Sequence, residues 1–90
     1  MNEPYTIRFN KIAEKSFLSL NKGDKMLILE KIKQLANDPF LMSNVKKLVS
    51  NNISYRLRVG NYRVLFERDD YIKIIDIIEI VRRKDAYRRF

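Results

Sequence analysis

The chain has 90 residues, of which 46% are hydrophobic, so we predict one packed domain over residues 1–90. It contains neither cysteine nor histidine, which excludes disulfides, imidazole metal sites, cysteine nucleophiles and serine-histidine-aspartate triads. The formal net charge is +8, and residues 46–90 hold twelve basic and six acidic side chains. This imbalance favours an anionic partner such as nucleic acid, with a merely solvated basic surface as the alternative.

The first half of the chain predicts a strand followed by two helices. Residues 5–9 alternate apolar and polar side chains, as a strand with one buried face does. Asn10 suits the N-cap of a helix over residues 11–20, and we expect Asp24 to cap a second helix. The Asp38-Pro39 pair stops that helix. Because only a short turn separates the two helices, they should form an antiparallel hairpin.

The second half of the chain reads as a connection followed by strands. Val45 and Leu48 are predicted to hold the connection onto the core, and Gly60-Asn61 is a tight hairpin turn. The predicted segments, in chain order, are the connection at 41–52, strands at 53–59 and 62–68, a turn at 69–70, an isoleucine-rich strand at 71–81 and a tail at 84–90.

This order keeps helices and strands apart along the chain instead of alternating them. It predicts an α+β fold of order β-α-α-β-β-β, in which a helical hairpin covers one face of a largely antiparallel four-stranded sheet. The closing residues 84–90 form either a short helix or a loose tail. The longest apolar stretch is interrupted by charged residues, and no signal-peptide pattern opens the chain, so we expect a soluble, cytoplasmic protein without a membrane partner.

Three arginines mark the candidate site. Arg56 and Arg58 are two apart on a strand, so both point to the same face, and the turn at residues 60–61 returns Arg63 alongside them. Glu67 is the only carboxylate between residues 52 and 68. Such a cluster suits a phosphodiester that gains negative charge in its transition state. The alternative is that all three are ordinary solvent-facing strand residues.

The end of the chain supplies a second group of candidates. Arg82, Arg83 and Tyr87 follow the last strand, and the tail can carry them to the basic face. A tyrosine there is able to orient or deprotonate a ribose 2′-hydroxyl, or to stack on an unpaired base. The alternative is that Tyr87 only packs the tail against the sheet. Arg88 and Arg89 are solvated charges or attract phosphate without taking part in chemistry.

Five segments of the sequence together resemble the RelE/ParE toxin superfamily over nearly the whole chain. The segment 55–67 resembles its central hairpin, and 80–88 resembles its terminal motif. Three further segments sit where the family has them: 5–9, 38–40 and 45–48.

The resemblance implies a RelE-type messenger-RNA endonuclease, the toxin of a type II toxin–antitoxin system. Such toxins cleave the codon in the ribosomal A site by attack of the 2′-hydroxyl, without a metal or other cofactor. The family's catalytic positions fall on Arg56, Arg58, Arg63, Arg83 and Tyr87. Further RNA-binding residues are expected at Lys46, Lys47, Arg82, Arg88 and Arg89. The partners implied are a cognate antitoxin, the ribosome and mRNA.

One departure from the family bears on mechanism. The positions of Arg56 and Arg58 are lysines in the best-known RelE enzymes, and arginine cannot act as a general base because it stays charged. The resemblance leaves two other functions open. A ParE-like chain would inhibit DNA gyrase by binding, and a non-catalytic relative would bind RNA or the ribosome without cutting.

Overall fold

The computed structural model describes residues 3–40, 44–47 and 54–82. They form two helices and five strands, in the order β1 (Thr6–Phe9), α1 (Lys11–Leu18), α2 (Lys22–Asn37), β2 (Val45–Lys47), β3 (Ser54–Val59), β4 (Tyr62–Asp69) and β5 (Ile74–Arg82). The α+β class is confirmed, with the helices on one face of a mostly antiparallel sheet.

The sheet has five strands in the spatial order β1-β5-β4-β3-β2, not the four that the sequence predicts. The additional strand is β2, which pairs antiparallel with β3 in the segment interpreted as a connection. Three residues are too few for a period-two pattern to stand out in a sequence. At the opposite edge, β1 runs parallel to β5, while the other pairings are antiparallel.

Asparagine side chains cap the N-termini of both helices. The Oδ1 of Asn10 accepts a hydrogen bond from the backbone N–H of Ala13, and the Oδ1 of Asn21 accepts one from the backbone N–H of Asp24, each at 2.8 Å. The expectation that Asp24 caps α2 is therefore wrong. Asp24 is the third helical residue, and its carboxylate accepts a hydrogen bond from the side-chain Nδ2 of Asn21 at 3.0 Å. This reciprocal pair resembles a capping box and starts the helix three residues earlier than predicted.

The hydrophobic core lies between the helices and one face of the sheet. That face presents every second residue of β3 and β4, as strand geometry requires. In β5 a register shift opposite Leu65 and Phe66 puts Ile77 and Ile80, which are three residues apart, on the same face. The largest fully buried side chains come from α2 and from these three strands: Ile28, Ile32, Leu35, Leu57, Val59, Val64, Phe66, Ile75 and Ile77. We call the opposite side of the sheet the open face.

Two turns set the positions of the last strands. Val59 pairs with Tyr62 across the predicted turn, where Gly60 has a φ of 55° that glycine adopts without strain. The second turn is longer than expected, because β4 runs through Asp69 and β5 begins only at Ile74. Lys73 has a φ of 56° there, and the Asp69 carboxylate accepts the amides of residues 71 and 72.

Within the described ranges, neither helix is long and apolar enough to cross a membrane.

Candidate nucleic-acid site on the open face

Arg58 and Arg63 lie directly opposite each other on β3 and β4. The amide of Arg58 donates to the carbonyl of Asn44 at 3.0 Å, so its peptide groups face β2 and not β4. The Arg58–Arg63 pair is therefore non-hydrogen-bonded, the type in which Cα atoms approach to about 4.5 Å and side chains lie closest. The two guanidinium groups thus project from nearly the same place on the open face.

Two further cations continue this cluster towards the sheet edge. Arg56 is two residues from Arg58 on the same face, and it pairs with Lys46 on β2. The open face therefore presents four neighbouring basic side chains, Lys46, Arg56, Arg58 and Arg63, which we call the basic patch. Lys47 does not join it. Its partner is Tyr55, whose ring stacks on the core residue Phe66, so Lys47 belongs to the helix side of the sheet.

The arginines of the basic patch differ in exposure. Arg63 is only 5% exposed, whereas Arg58 is exposed and Arg56 is intermediate. The neighbours of Arg63 on the same face, Leu65 on β4 and Val81 on β5, are buried as well. A buried guanidinium has few accessible rotamers and keeps its direction before a ligand arrives, which suits preorganised stabilisation of negative charge.

Carboxylates also lie on the open face, and one of them, Glu79, is the partner of Leu65 and lies diagonally from Arg63. The others lie towards the far end of the face, away from the hairpin turn. Glu67 pairs with Asp76 across β4 and β5, and Asp76 in turn pairs with Arg8 on β1. The Arg8 guanidinium donates to both Asp76 oxygens, at 2.8 and 3.3 Å. That end of the face therefore contains the Arg8–Asp76 ion pair, while the basic side chains cluster beside the turn at residues 60–61.

Arg68 shows that not every arginine of the hairpin belongs to the site. Its guanidinium lies 4.3 Å from the ring centre of Phe40 and 4.4 Å from that of Tyr55, and its Nε is 2.7 Å from Asp70. These contacts are on the helix side of the sheet. Arg68 therefore connects the end of α2 to β3 and β4 and adds nothing to the open face.

The structure does not bring Arg82 into the basic patch. Arg82 pairs with Tyr62, which belongs to the core face, so register directs the Arg82 side chain towards the helices. The other predicted residues of the tail, Arg83, Tyr87, Arg88 and Arg89, lie outside the described residues. The last described strand nevertheless ends beside the basic patch, because Val81 is the partner of Arg63.

Sequence reasoning missed one polar contact near this end of the sheet. The Tyr62 hydroxyl donates to Asp24 at 2.7 Å, joining the first turn of α2 to the start of β4. This hydrogen bond raises the pKa of Tyr62, as does burial, while the positive charge of Arg82 lowers it. The two residues are 38 positions apart, and no local pattern in the sequence pairs them.

In the part of the chain that the structure describes, no group of acidic side chains converges in a way that would hold a metal ion. The chemistry available at the basic patch is the binding of an anion by guanidinium and ammonium groups. Arginine forks match phosphate oxygens in geometry as well as in charge.

Solved structures of RelE toxins resemble this chain over most of its length. The archaeal RelE–RelB complex from Pyrococcus horikoshii OT3 matches with a TM-score of 0.78 and 28% identity, over 90% of this chain and 97% of the other. The toxin–antitoxin complex RelBE2 from Mycobacterium tuberculosis matches with a TM-score of 0.78 and 25% identity, over 90% and 100%. The RelB–RelE complex from Methanococcus jannaschii matches with a TM-score of 0.74 and 26% identity, over 92% and 98%. The fold is that of the RelE toxins.

The family comparison agrees with the fold. Residues 5–87 match the sequence model described as the ParE toxin of the type II toxin–antitoxin system, parDE. No curated protein matches the chain. The chain belongs to this toxin family, within the RelE/ParE superfamily, which confirms the resemblance seen in the sequence.

Proposed function

We propose that this toxin is an RNA endonuclease that cleaves messenger RNA in the ribosomal A site. The observation that supports it best is the close Arg58–Arg63 pair, one exposed and one buried, on a face that the helices leave uncovered. Two adjacent guanidinium groups bind an anion that both can reach, because each contributes a positive charge and hydrogen-bond donors. A phosphodiester is such an anion, and its charge increases on the way to the transition state.

In the proposed reaction, the ribose 2′-hydroxyl attacks the adjacent phosphate and the bond to the 5′-oxygen breaks, leaving a 2′,3′-cyclic phosphate. Arg56, Arg58 and Arg63 bind the phosphate and stabilise the charge that develops on its oxygens. None of the three can accept the proton of the 2′-hydroxyl, because arginine stays charged at any physiological pH. The general base must therefore be another group.

We assign that role to Tyr87, with Arg83 assisting the departing 5′-oxygen. Positive charge nearby favours the phenolate form of a tyrosine, which makes it a better proton acceptor. Strand β5 ends at Arg82, beside the basic patch, so the residues that follow begin close to Arg63. Arg88, Arg89 and Lys46 would attract the RNA backbone by charge, whereas Lys47 and Arg82 would reach RNA only from the other side of the sheet.

The proposal includes the partners of such a toxin. The similar structures from Pyrococcus horikoshii and Mycobacterium tuberculosis are described as complexes with an antitoxin, and we propose a cognate antitoxin for this chain as well. The targets of the toxin itself are the ribosome and mRNA in the cytoplasm.

The test is to find which molecule the toxin damages. We expect the chain, added to a cell-free translation system, to produce new mRNA 5′ ends at A-site codons, as mapped by primer extension. Lys33→Ala, a change at an exposed position on α2, should leave these ends unchanged. Intact mRNA under conditions where translation stops would contradict the proposal.

A second candidate follows from the matching family model, which is named for ParE. A ParE-like chain would bind DNA gyrase and leave RNA intact, so gyrase supercoiling is assayed in parallel. Stalled gyrase with intact mRNA would favour this function. Growth arrest without either lesion would favour a non-catalytic RNA-binding or ribosome-binding relative.

A further inference from the structure

The outer edge of β5 has a strand partner along only part of its length. β1 pairs with Ile74–Ile77 and then ends, because Phe9 is its last residue and Asn10 begins α1. β5 continues for five more residues, from 78 to 82. Among the described residues, no strand pairs with that outer part. Such an edge presents backbone donors and acceptors that an additional strand can use.

The register identifies which peptide groups point outwards. Because Arg58–Arg63 is a non-hydrogen-bonded pair, the next pair, Val59–Tyr62, is the hydrogen-bonded one, and Tyr62 directs its peptide groups to β3. Tyr62 therefore cannot exchange hydrogen bonds with Arg82, its partner on the other side. It follows that Arg82, and by alternation Ile80, direct their amide and carbonyl groups away from β4, to the outer edge.

A groove lies along this part of β5. It has a volume of about 330 Å³, and its wall opposite the strand comes from the end of α1 and the turn into α2. That wall consists of Ser16, Ser19, Leu20 and Asn21, so it offers hydroxyl and amide groups together with one apolar side chain. Arg82, which is exposed, lies at the end of the groove, and Glu79 also lines it, so the groove contains one basic and one acidic side chain.

We propose that the outer edge of β5 over residues 78–82 binds an extended segment of the antitoxin, which adds to the sheet as a sixth strand. This rests on the proposed function insofar as it takes the partner to be an antitoxin. Backbone hydrogen bonds to Ile80 and Arg82 hold the segment, and an acidic side chain of the antitoxin pairs with the Arg82 guanidinium. The charge of +8 on each chain favours an acidic partner and opposes pairing with a second copy.

The location gives the bound strand a consequence for the site. β5 carries Val81, the partner of Arg63, and the chain continues from Arg82 into the segment that holds Arg83 and Tyr87. A strand seated on residues 78–82 fixes the point from which that segment departs. The bound strand would lie along the end of β5 and leave the basic patch uncovered.

The first experiment measures amide hydrogen exchange by NMR, in the free chain and in the complex with its co-expressed antitoxin. In the free chain, the amides of Ile80 and Arg82 should exchange faster than those of Glu79 and Val81, which face β4. In the complex, both outer amides should slow by about tenfold or more. If Ile80 and Arg82 stay unprotected in the complex, the strand-addition inference is wrong, but the proposed nuclease activity is not affected. If the amides are protected but the free toxin does not cut mRNA, the nuclease proposal is wrong and the strand addition stands.

The second experiment compares two variants at one exposed position. Arg82→Ala removes the charge, and Arg82→Pro removes the charge and the outward amide without removing a bond to β4. We expect the Pro variant to bind the antitoxin about tenfold more weakly than the Ala variant, as loss of one backbone hydrogen bond predicts. Equal affinities would contradict a backbone contact there. Slow exchange at Ile80 and Arg82 in a concentration-dependent dimer of the free chain would instead assign the edge to self-pairing and overturn the proposal.

Discussion

Arg58 and Arg63 carry like charges at the closest type of position that neighbouring strands offer. Like charges directly opposite each other destabilise a sheet by a few tenths of a kcal/mol or more. Repulsion within such a pair opposes the stability of the folded chain. A phosphate bound between the two side chains offsets the repulsion, and this relief adds to the affinity of the toxin for its ligand.

Replacing Arg58 should therefore not weaken the fold. We expect Arg58→Ala to unfold in urea with a free energy equal to that of the unaltered chain or up to about 0.5 kcal/mol higher, because the repulsion is relieved. Lys33→Ala is the matched control, since it removes an exposed cation from a helix. A loss of more than about 1 kcal/mol in Arg58→Ala alone would mean that the side chain is structural.

Much of the basic patch was predictable because strand periodicity and a two-residue turn are local properties. These two properties place Arg56 and Arg58 on one face and bring Arg63 alongside them, whereas the register that puts Arg63 on the same face is given by the structure. The burial of Arg63 was not predictable, since it depends on which residues of β4 and β5 surround it in the folded sheet. The expectation that Arg82 joins the basic face rested on proximity along the chain, whereas pairing with Tyr62 turns its side chain away.

Tyr62 provides a second test at a single residue. We expect Tyr62→Phe to lower the free energy of unfolding by about 1–2 kcal/mol at pH 7, because the hydroxyl donates to the charged Asp24. The hydrogen bond raises the pKa of Tyr62 above its ordinary value of 10.0, so its contribution is complete below pH 10 and disappears as the pH rises through the folded-state pKa.

Urea unfolding at a series of pH values from 7 upwards measures this dependence. The difference in the free energy of unfolding between the unaltered chain and Tyr62→Phe should be constant up to about pH 10 and then become smaller. Tyr71→Phe is the control, because Tyr71 is 97% exposed and its change should cost almost nothing. A difference that stays the same at high pH would show that the hydroxyl contributes by packing.

At the scale of an element, the hairpin turn decides whether the arginines meet. Gly60 has a φ of 55°, and a Cβ added there would lie 3.7 Å from Leu27, an ordinary contact. The obstacle to another residue is therefore conformational. We expect Gly60→Ala to lower the melting temperature, with a cost of about 1–2 kcal/mol, and Gly60→Asn to lower it less, because asparagine tolerates this region. Equal effects of the two changes would argue for a steric cause instead.

The elements also show where sequence reasoning loses information. Period-two alternation predicted β1 and β3 well, since one face of each is more buried than the other. In β4, by contrast, residues 62–66 are buried on both faces. The cap of α2 was misplaced because Asn21 and Asp24 are both good cap residues, and only the geometry shows that the first accepts from the second. The parallel pairing of β1 with β5 joins the two ends of the described chain, and nothing local specifies it.

At the scale of the whole molecule, the helices cover one face of the sheet, and the charged side chains of the basic patch lie on the other face. The basic patch occupies the part of the open face nearest the hairpin turn, and β5 ends beside it at Arg82. The segregation of helices from strands, which the sequence predicts, makes this arrangement possible. The order of the strands, which the sequence does not predict, brings Val81 and Arg63 together.

The basic patch is proposed above all to stabilise the transition state of RNA cleavage. This role is tested most directly by single-turnover cleavage of an A-site codon on purified ribosomes, with the new 3′ ends analysed for a cyclic phosphate. We predict cyclic ends, a rate about 10²–10³-fold lower for Arg58→Ala and about 10²-fold lower for Tyr87→Phe, and an unchanged rate for Lys33→Ala. Cleavage by a folded Arg58→Ala protein at the unaltered rate would contradict this role.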